Sequence, residues 1–407
     1  MKIAVLSDFH FGYEYNSELE EDSFNAAEEA VEKALDADVI LIAGDIFDTR
    51  VPKTSEWAKA IKILVKPMMR DSTVNFVSCS KEMKEISKRN LKHLPVIAIH
   101  GTHERRSRGE VNALEALEHA GILIYLHCDT IVFEKDGVKV AIHGMSGVPE
   151  SYAKDVLYKW NPQPLPGCIN ILMMHQSIEP YIYSPLSPPS LSLSNLPKGF
   201  DLIVDGHLHI TGQEKIDNTL LLIPGSTIVT QQEANEADAQ KGFYFVDINN
   251  EIKPTFVPLE NNRKFFYKEI KLEGSLREQV ENVLKEILNK SFVKPPLIKL
   301  KIFGKEMEVI EQELREIERR YADRAIISFT KELESPEITR KIEFLRNLRE
   351  QKMSVEEIGI NLLRKNLDEL KFNSSFDYGQ AFRLLTEGKV ENAFNVFTGE
   401  QKTLVMK

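Results

Sequence analysis

The chain has 407 residues, a formal net charge of −10, 42% hydrophobic and 28% charged residues, which is ordinary for a soluble globular protein and enough for two or three domains with a sizeable core. The negative balance argues against a protein that coats nucleic acid in general; it leaves a nucleic-acid enzyme open, since bound cations and a local basic rim outweigh the global charge near a site. No apolar run approaches the ~20 residues of a bilayer span, the N-terminus enters a strand with no signal segment, and a cytoplasmic location with no membrane contact is expected.

In chain order, Ile3 to Leu6 reads as a buried strand and runs into Asp8 and His10, which an extended backbone would turn to one side. From Ser23 to Leu35 the apolar residues Phe24, Ala27, Val31, Ala34 and Leu35 recur at helical spacing, with Asp22 placed to cap. Val39 to Ala43 is a second strand, followed at once by Gly44, Asp45 and Asp48. Trp57 to Val65 and Lys81 to Leu91 read as helices. The strand Val96 to Ile99 leads into His100-Gly101-Thr102-His103-Glu104, and Asn112 to Ala120 is again an amphipathic helix. Val138 to His143 and Asn170 to Met174 are strands, the second ending in His175. A Ser/Pro/Leu-rich stretch to Pro197 cannot be a regular helix and is expected to wrap the surface near the site. The strand Asp201 to Val204 closes on Gly206, His207 and His209. Leu220 to Ile223, Gly242 to Val246 and Ile252 to Val257 are expected to form a second sheet.

Open α/β sheets carry their sites beyond the C-terminal ends of the strands. Here five such ends bear Asp8/His10, Asp45, Thr102/His103, His175 and His207/His209, and five of the ten histidines fall in these clusters. Carboxylate, imidazole and hydroxyl donors without cysteine suit Mn²⁺, Mg²⁺ or Fe²⁺ better than structural zinc. The spacing favours two cations over one, and a carboxylate shared between them fits phosphate-ester hydrolysis. Cys79, Cys128 and Cys168 lie far apart with no Cys-x-x-Cys spacing and are read as buried thiols.

Asp-x-His, Gly-Asp-x-x-Asp, a Gly-Asn-His-Asp/Glu-like segment, a lone His and Gly-His-x-His, in that order, resemble the calcineurin-like metallophosphoesterases over about Met1 to Leu259. The resemblance implies an α/β fold: a metallophosphoesterase sandwich of two sheets flanked by helices. It implies one metal held by Asp8, His10, Asp45 and His209 and another by Asp45, His175, His207 and the residue at position 102. His103 matches the family's catalytic histidine, which protonates the leaving oxygen or stabilises the transition state. Thr102 stands where the family usually has Asn, so either its hydroxyl reaches, a water fills the gap, or the second metal binds more weakly. Glu104 and Asp48 would act one shell out, orienting ligands.

His175-Gln176-Ser177-Ile178-Glu179-Pro180-Tyr181 and Leu193-Ser194-Asn195-Leu196-Pro197-Lys198-Gly199-Phe200-Asp201 resemble the Mre-eleven/SbcD family of DNA-repair nucleases, as does Gly225-Ser226-Thr227 before Gly242-Phe243-Tyr244. What that implies is a homodimeric, two-Mn²⁺ exo- and endonuclease acting at DNA double-strand ends beside the nucleoid. Arg105, Arg106 and Arg108 form a basic rim for phosphate contact. By order of elements, residues 260–335 resemble a small α+β capping domain that helps select the DNA end, after a nuclease domain at 1–259. Residues 336–407 form a helical tail, with Ile338 to Leu348, Val355 to Leu370, Ala381 to Leu385 and Val390 to Phe397 as its helices. Its apolar residues Ile358, Leu362, Phe382, Leu385 and Phe394 lie at helical spacing. Their partner would be the coiled-coil base of an SMC-like ABC ATPase of the Rad-fifty type, because this chain has no Gly-x-x-x-x-Gly-Lys-Ser/Thr loop. Two other readings remain: a DNA-end-binding scaffold weakened by Thr102, and a phosphodiesterase of the same fold for a small nucleotide.

Overall fold

A computed structural model describes residues 1–14, 17–107, 109–182, 190–237, 239–249, 251–305, 310–334, 359–360, 363–364, 377–386 and 388–398. The chain divides into two compact units, one of Met1–Ile270 with Arg277–Lys301 and Glu311–Thr330, the other of Lys271–Leu276, Ile302–Ile310 and Lys331–Lys407.

In the first unit the run Ile3-Ala-Val-Leu6 shows why its strand is apolar on both faces. Ile3 and Val5 point into one core cluster and Ala4 and Leu6 into another, as the period of two requires. The next strand repeats the division, with Leu41 and Ala43 in the first cluster and Ile40 and Ile42 in the second. Each such Ile, Leu or Val taken fully from water contributes about 1.5–3 kcal/mol, which is why these strands read as continuous hydrophobic runs.

The six-stranded sheet has the order Ile252–Pro258, Gly242–Ile248, Lys2–Leu6, Val39–Ala43, Val96–Ile99, Ile124–Tyr125. A seven-stranded sheet faces it, in the order Gly212–Ile216, Thr219–Ile223, Leu202–Asp205, Ile169–Met174, Val138–Met145, Asp129–Lys135, Asn75–Cys79. Ile3, Val5, Leu41, Ile97 and Ile99 meet Ile142, Met173, Leu202 and Val204 between the sheets. Helices Glu20–Ala34, Thr54–Leu64 and Ala113–His119 supply Ala27, Val31, Ile63 and Leu117 to the cluster on the outer face of the first sheet. Helix Glu150–Trp160 covers the second, through Ala153 and Leu157 against Leu172, Ile203 and Leu221. The expected sandwich of two sheets flanked by helices is therefore present.

Strand direction places the site. Lys2–Leu6, Val39–Ala43 and Val96–Ile99 are parallel, with Leu6 opposite Ile42 and Ala43 opposite Ile99. Ile169–Met174 and Leu202–Asp205 are parallel in the second sheet, with Met174 opposite Asp205. All five candidate clusters follow these C-terminal ends.

Some expectations are corrected. Gly242–Ile248 and Ile252–Pro258 add antiparallel to the first sheet, not the second, because Gly242–Ile248 pairs with Lys2–Leu6. The stretch from Lys81 to Leu91 holds a helix only at Lys88–Lys92, capped by the Ser87 hydroxyl; Lys81 instead reaches Glu118 and the Tyr125 carbonyl. Asp22 lies inside its helix, whose N-cap position is Leu19, and its carboxylate takes Arg263 and Lys294. Asp129–Lys135, Asn75–Cys79, Gly212–Ile216 and helix Glu150–Trp160 are elements the sequence pattern did not single out.

Strands Phe265–Lys271, Leu297–Lys305 and Ile326–Glu334 make a further sheet in that order, accompanied by helices Leu276–Leu288 and Ile310–Tyr321. In the second unit, helices Tyr378–Thr386 and Val390–Thr398 pack on each other. The helix expected at Ile338 to Leu348 and most of that at Val355 to Leu370 lie outside the described residues. Among the described residues no helix is long and apolar enough to cross a membrane.

Candidate metal centre

Asp8 and His10 do not share a side by strand alternation. Their strand ends at Leu6, and both residues adopt the left-handed backbone region, φ 53° and 50°. Asp45 (φ 48°) and His207 (φ 74°) do the same. Non-glycine residues are uncommon there and cost of order 1–3 kcal/mol each, so four candidate ligands are held in strained turns. Backbone bonds fix them: Asp8 N–H donates to the Gly44 carbonyl and His10 N–H to the Asp45 carbonyl, both at 3.0 Å.

Glycines flanking the strand ends leave room for the side chains. A Cβ on Gly101 would stand 2.1 Å from Asp45 Oδ1, and one on Gly206 would stand 2.1 Å from the Ala43 carbonyl and 2.6 Å from His175 Nδ1.

The side chains then converge. His10 Nε2 and His209 Nε2 are 3.1 Å apart, and Asp8 Oδ1 lies 3.8 and 3.5 Å from them. His175 Nε2 is 3.1 Å from Asp45 Oδ2, which also accepts from Thr102 Oγ1 at 3.3 Å, while Asp45 Oδ1 accepts from the His103 backbone N–H at 2.9 Å. Two groups of donor atoms result that could each hold a cation, Asp8/His10/His209 and Asp8/Asp45/His175. The His207 ring stands 5.4 Å from that of His175. A third group, His10/Asp48/His103, adjoins them.

A divalent pair fits these residues. Asp8 is fully buried, yet among the described residues neither of its oxygens has a hydrogen-bond partner, an arrangement that is costly unless a cation takes the lone pairs. Burial works against charge on Asp8 and Asp45, but the surrounding histidines hold both carboxyls well below the usual range. Burial likewise opposes charge on His10 and His175; the carboxylates overcome it and push both up to about 10. Burial, then the neighbouring His175, brings His207 down to about 4, leaving it neutral and able to ligate.

Outside the donors, the rings of His10, His175 and His209 are oriented through their other nitrogen, as is usual for metal-ligating imidazoles. Asp48 Oδ1 is 2.9 Å from His10 Nδ1, and the Ala43 carbonyl is 2.7 Å from His175 Nδ1. The Thr230 hydroxyl meets His209 Nδ1. Glu104, wholly buried, accepts from the backbone N–H of Phe47 at 2.8 Å and of Gly101 at 2.9 Å, tying two ligand loops together. Burial first, and the Asp45 charge second, push its carboxyl up to about 8.

His103 differs from the rest in exposure, with 40% of its side chain accessible. Its Nδ1–H donates to the Asp48 carbonyl at 2.7 Å and its ring stands edge-on to His10. Arg105 and Arg106 follow, partly buried, and among the described residues Arg105 Nη1 and Arg106 Nε lack hydrogen-bond partners. Arg108 lies outside the described residues, as do Ile358 and Leu362; Phe382 is partly covered, and Leu385 and Phe394 are exposed. Among the described residues Cys79, Cys128 and Cys168 form no disulfide, and each is half-buried, not the fully buried thiol expected.

Sequence reasoning missed the backing of His209 by Ser226, Thr230, Glu236 and Lys241. The Gly225-Ser226-Thr227 and Gly242-Phe243-Tyr244 segments bracket it, and a lysine directly before that glycine was the one signal on offer.

Known proteins resemble the chain as follows. The calcineurin-like phosphoesterase family profile matches residues 1–211. A DNA double-strand break repair protein Mre11 from Thermoplasma acidophilum is 29% identical over 349 residues, 82% of this chain and 84% of that protein. The Mre11 of Methanopyrus kandleri is 27% identical over 69% of this chain and 62% of its own length. The double-strand break repair protein MRE11 of Arabidopsis thaliana is 25% identical over 74% of this chain and 50% of its own length. The chain thus spans less than two thirds of the last two.

Proposed function

The chain belongs to the calcineurin-like phosphoesterase family, and from that premise we propose that it is a manganese-dependent DNA nuclease that processes the ends of double-strand breaks. The observation that carries the metal chemistry is the pair of buried carboxylates, Asp8 without hydrogen-bond partners among the described residues, met by imidazoles from both sheets. Similarity to Mre11 proteins over most of the chain supports DNA ends as the substrate.

Asp8, His10, Asp45 and His209 would hold one cation; Asp45, His175, His207 and Thr102 the other. When bound, such a pair activates water for attack and offsets the charge that develops on a scissile phosphate. Asp48 serves both His10 and His103: its carboxylate orients the first and its carbonyl fixes the tautomer of the second. With Nδ1–H so engaged, His103 Nε2 is the nitrogen that takes up a second proton, and the imidazolium so formed would give that proton to the departing 3′ oxygen. Arg105 and Arg106, which follow His103 directly in the chain and are partly exposed, would take flanking phosphates, and Arg108 would extend the rim.

The wider assembly is part of the same proposal. A nuclease domain (1–259) and a capping domain (260–335) would be followed by a tail (336–407) whose Ile358, Leu362, Phe382, Leu385 and Phe394 bind the coiled coil of an SMC-like ABC ATPase. Helices of the nuclease domain would pair two copies.

One observation favours a second reading. The Thr102 hydroxyl is hydrogen-bonded to Asp45, and a short hydroxyl is a poorer ligand than an amide, which suits a catalytically weak DNA-end scaffold. Linear duplex DNA labelled at either end, incubated with Mn²⁺, Mg²⁺ or chelator beside His103→Ala, separates the two. Manganese-dependent cutting lost in the variant supports the nuclease. Tight end binding without cutting supports the scaffold, and intact DNA with turnover of a small diester overturns both.

A further inference from the structure

Behind His209 sits a lysine with nearly all of its side chain out of water. Lys241 is 5% exposed, and its ammonium has three close oxygen acceptors: the His209 carbonyl at 2.8 Å, Ser226 Oγ at 2.9 Å and Glu236 Oε1 at 2.7 Å. Three donors meet three acceptors, so the charge is fully used in a place where an unpaired ammonium would be very unfavourable.

Glu236, 2% exposed, is itself fixed. Its Oε2 accepts the backbone N–H groups of Gln231 and Gln232, both at 2.9 Å. The segment between Ser226 and Gln232 is thereby pinned at one end by Glu236 and at the other by Ser226, whose hydroxyl donates to the Ile228 carbonyl. That segment touches the centre at two points: Thr227 N–H donates to the Asp8 carbonyl at 3.3 Å, and the Thr230 hydroxyl meets His209 Nδ1.

We propose that Lys241, seated by Glu236, is a positioning residue that holds the His209 main chain and its supporting segment so that His209 Nε2 faces Asp8 and His10. The inference rests on the metal-centre reading above. A buried ion pair need not add stability, since an apolar pair of similar volume does as well or better. Its specific effect here is the charge-assisted bond to one ligand's carbonyl.

The test titrates Mn²⁺ alone into the full chain by calorimetry, with duplex-DNA cleavage and metal-free melting followed in parallel. In Lys241→Met, Mn²⁺ affinity falls about 10–100-fold, the usual effect of losing an outer-shell partner, and kcat falls while KM for DNA holds. Glu236→Gln keeps the ammonium on the His209 carbonyl and retains more affinity than Lys241→Met. The double variant, Glu236→Gln with Lys241→Met, buries no charge; its metal-free melting temperature recovers while its Mn²⁺ affinity stays low. If Lys241→Met fails to fold, the double variant gives the same comparison with the parent. Parent-like Mn²⁺ binding in Lys241→Met, or affinity recovering together with melting temperature in the double variant, overturns the inference alone. A parent chain that takes up no Mn²⁺ overturns the metal-centre reading and the inference with it.

Discussion

His103 and the glycines around it do different things for the site, and substitution separates them. His103 contributes a ring nitrogen outside the carboxylate cluster, so His103→Ala should lower the rate of DNA cleavage by about 10²–10⁴-fold. Its backbone N–H, which serves Asp45 Oδ1, survives the change, and Mn²⁺ uptake by calorimetry should remain at the parent's level. Gly101→Ala acts in the opposite way. A methyl 2.1 Å from Asp45 Oδ1 must displace that carboxylate, so metal uptake should be lost along with activity while far-UV circular dichroism keeps its shape. Equal metal uptake in parent and Gly101→Ala would show that Asp45 is not a ligand.

Single elements carry measurable shares of the stability. Helix Ala113–His119 begins at Asn112, whose side chain accepts from Glu115 N–H at 2.9 Å while Glu115 reaches back to the Asn112 N–H. Asn112→Ala removes this reciprocal cap and should cost about 1 kcal/mol, within the 0.5–2 range for such caps, read as a lower denaturant midpoint with unchanged slope. In the second unit, helices Tyr378–Thr386 and Val390–Thr398 leave Phe394 62% exposed. Phe394→Glu should abolish capture of a coiled-coil ATPase partner in a binding assay and leave DNA cleavage by the isolated chain unaltered.

For the molecule as a whole, the two sheets meet at the centre, since His10 follows a strand of the first and His209 a strand of the second. A cation bound there cross-links them. Mn²⁺ at a hundredfold excess over Kd should stabilise the folded chain by about 2.7 kcal/mol per site, seen as a chelator-reversible rise in melting temperature. His209→Ala should shrink that rise, and an unchanged rise would place the cation elsewhere.

The sequence by itself determined the strands that hold continuous apolar runs, at 3–6, 39–43, 96–99 and 171–174 among them, because burial on both faces favours apolar side chains. It also determined the order of the candidate donors, since each follows a strand end and parallel strands bring those ends to one edge. It did not reveal Asn75–Cys79 or Gly212–Ile216, which are outer strands of the second sheet with exposed positions and no such run. Nor could it assign Gly242–Ile248 to the first sheet, because pairing with Lys2–Leu6 spans more than two hundred positions and leaves no local pattern. Only the tertiary structure decided that Asp8 and His10 converge through left-handed turns and that Lys241 stands behind His209. Both depend on backbone geometry and long-range contacts that residue type and spacing do not encode.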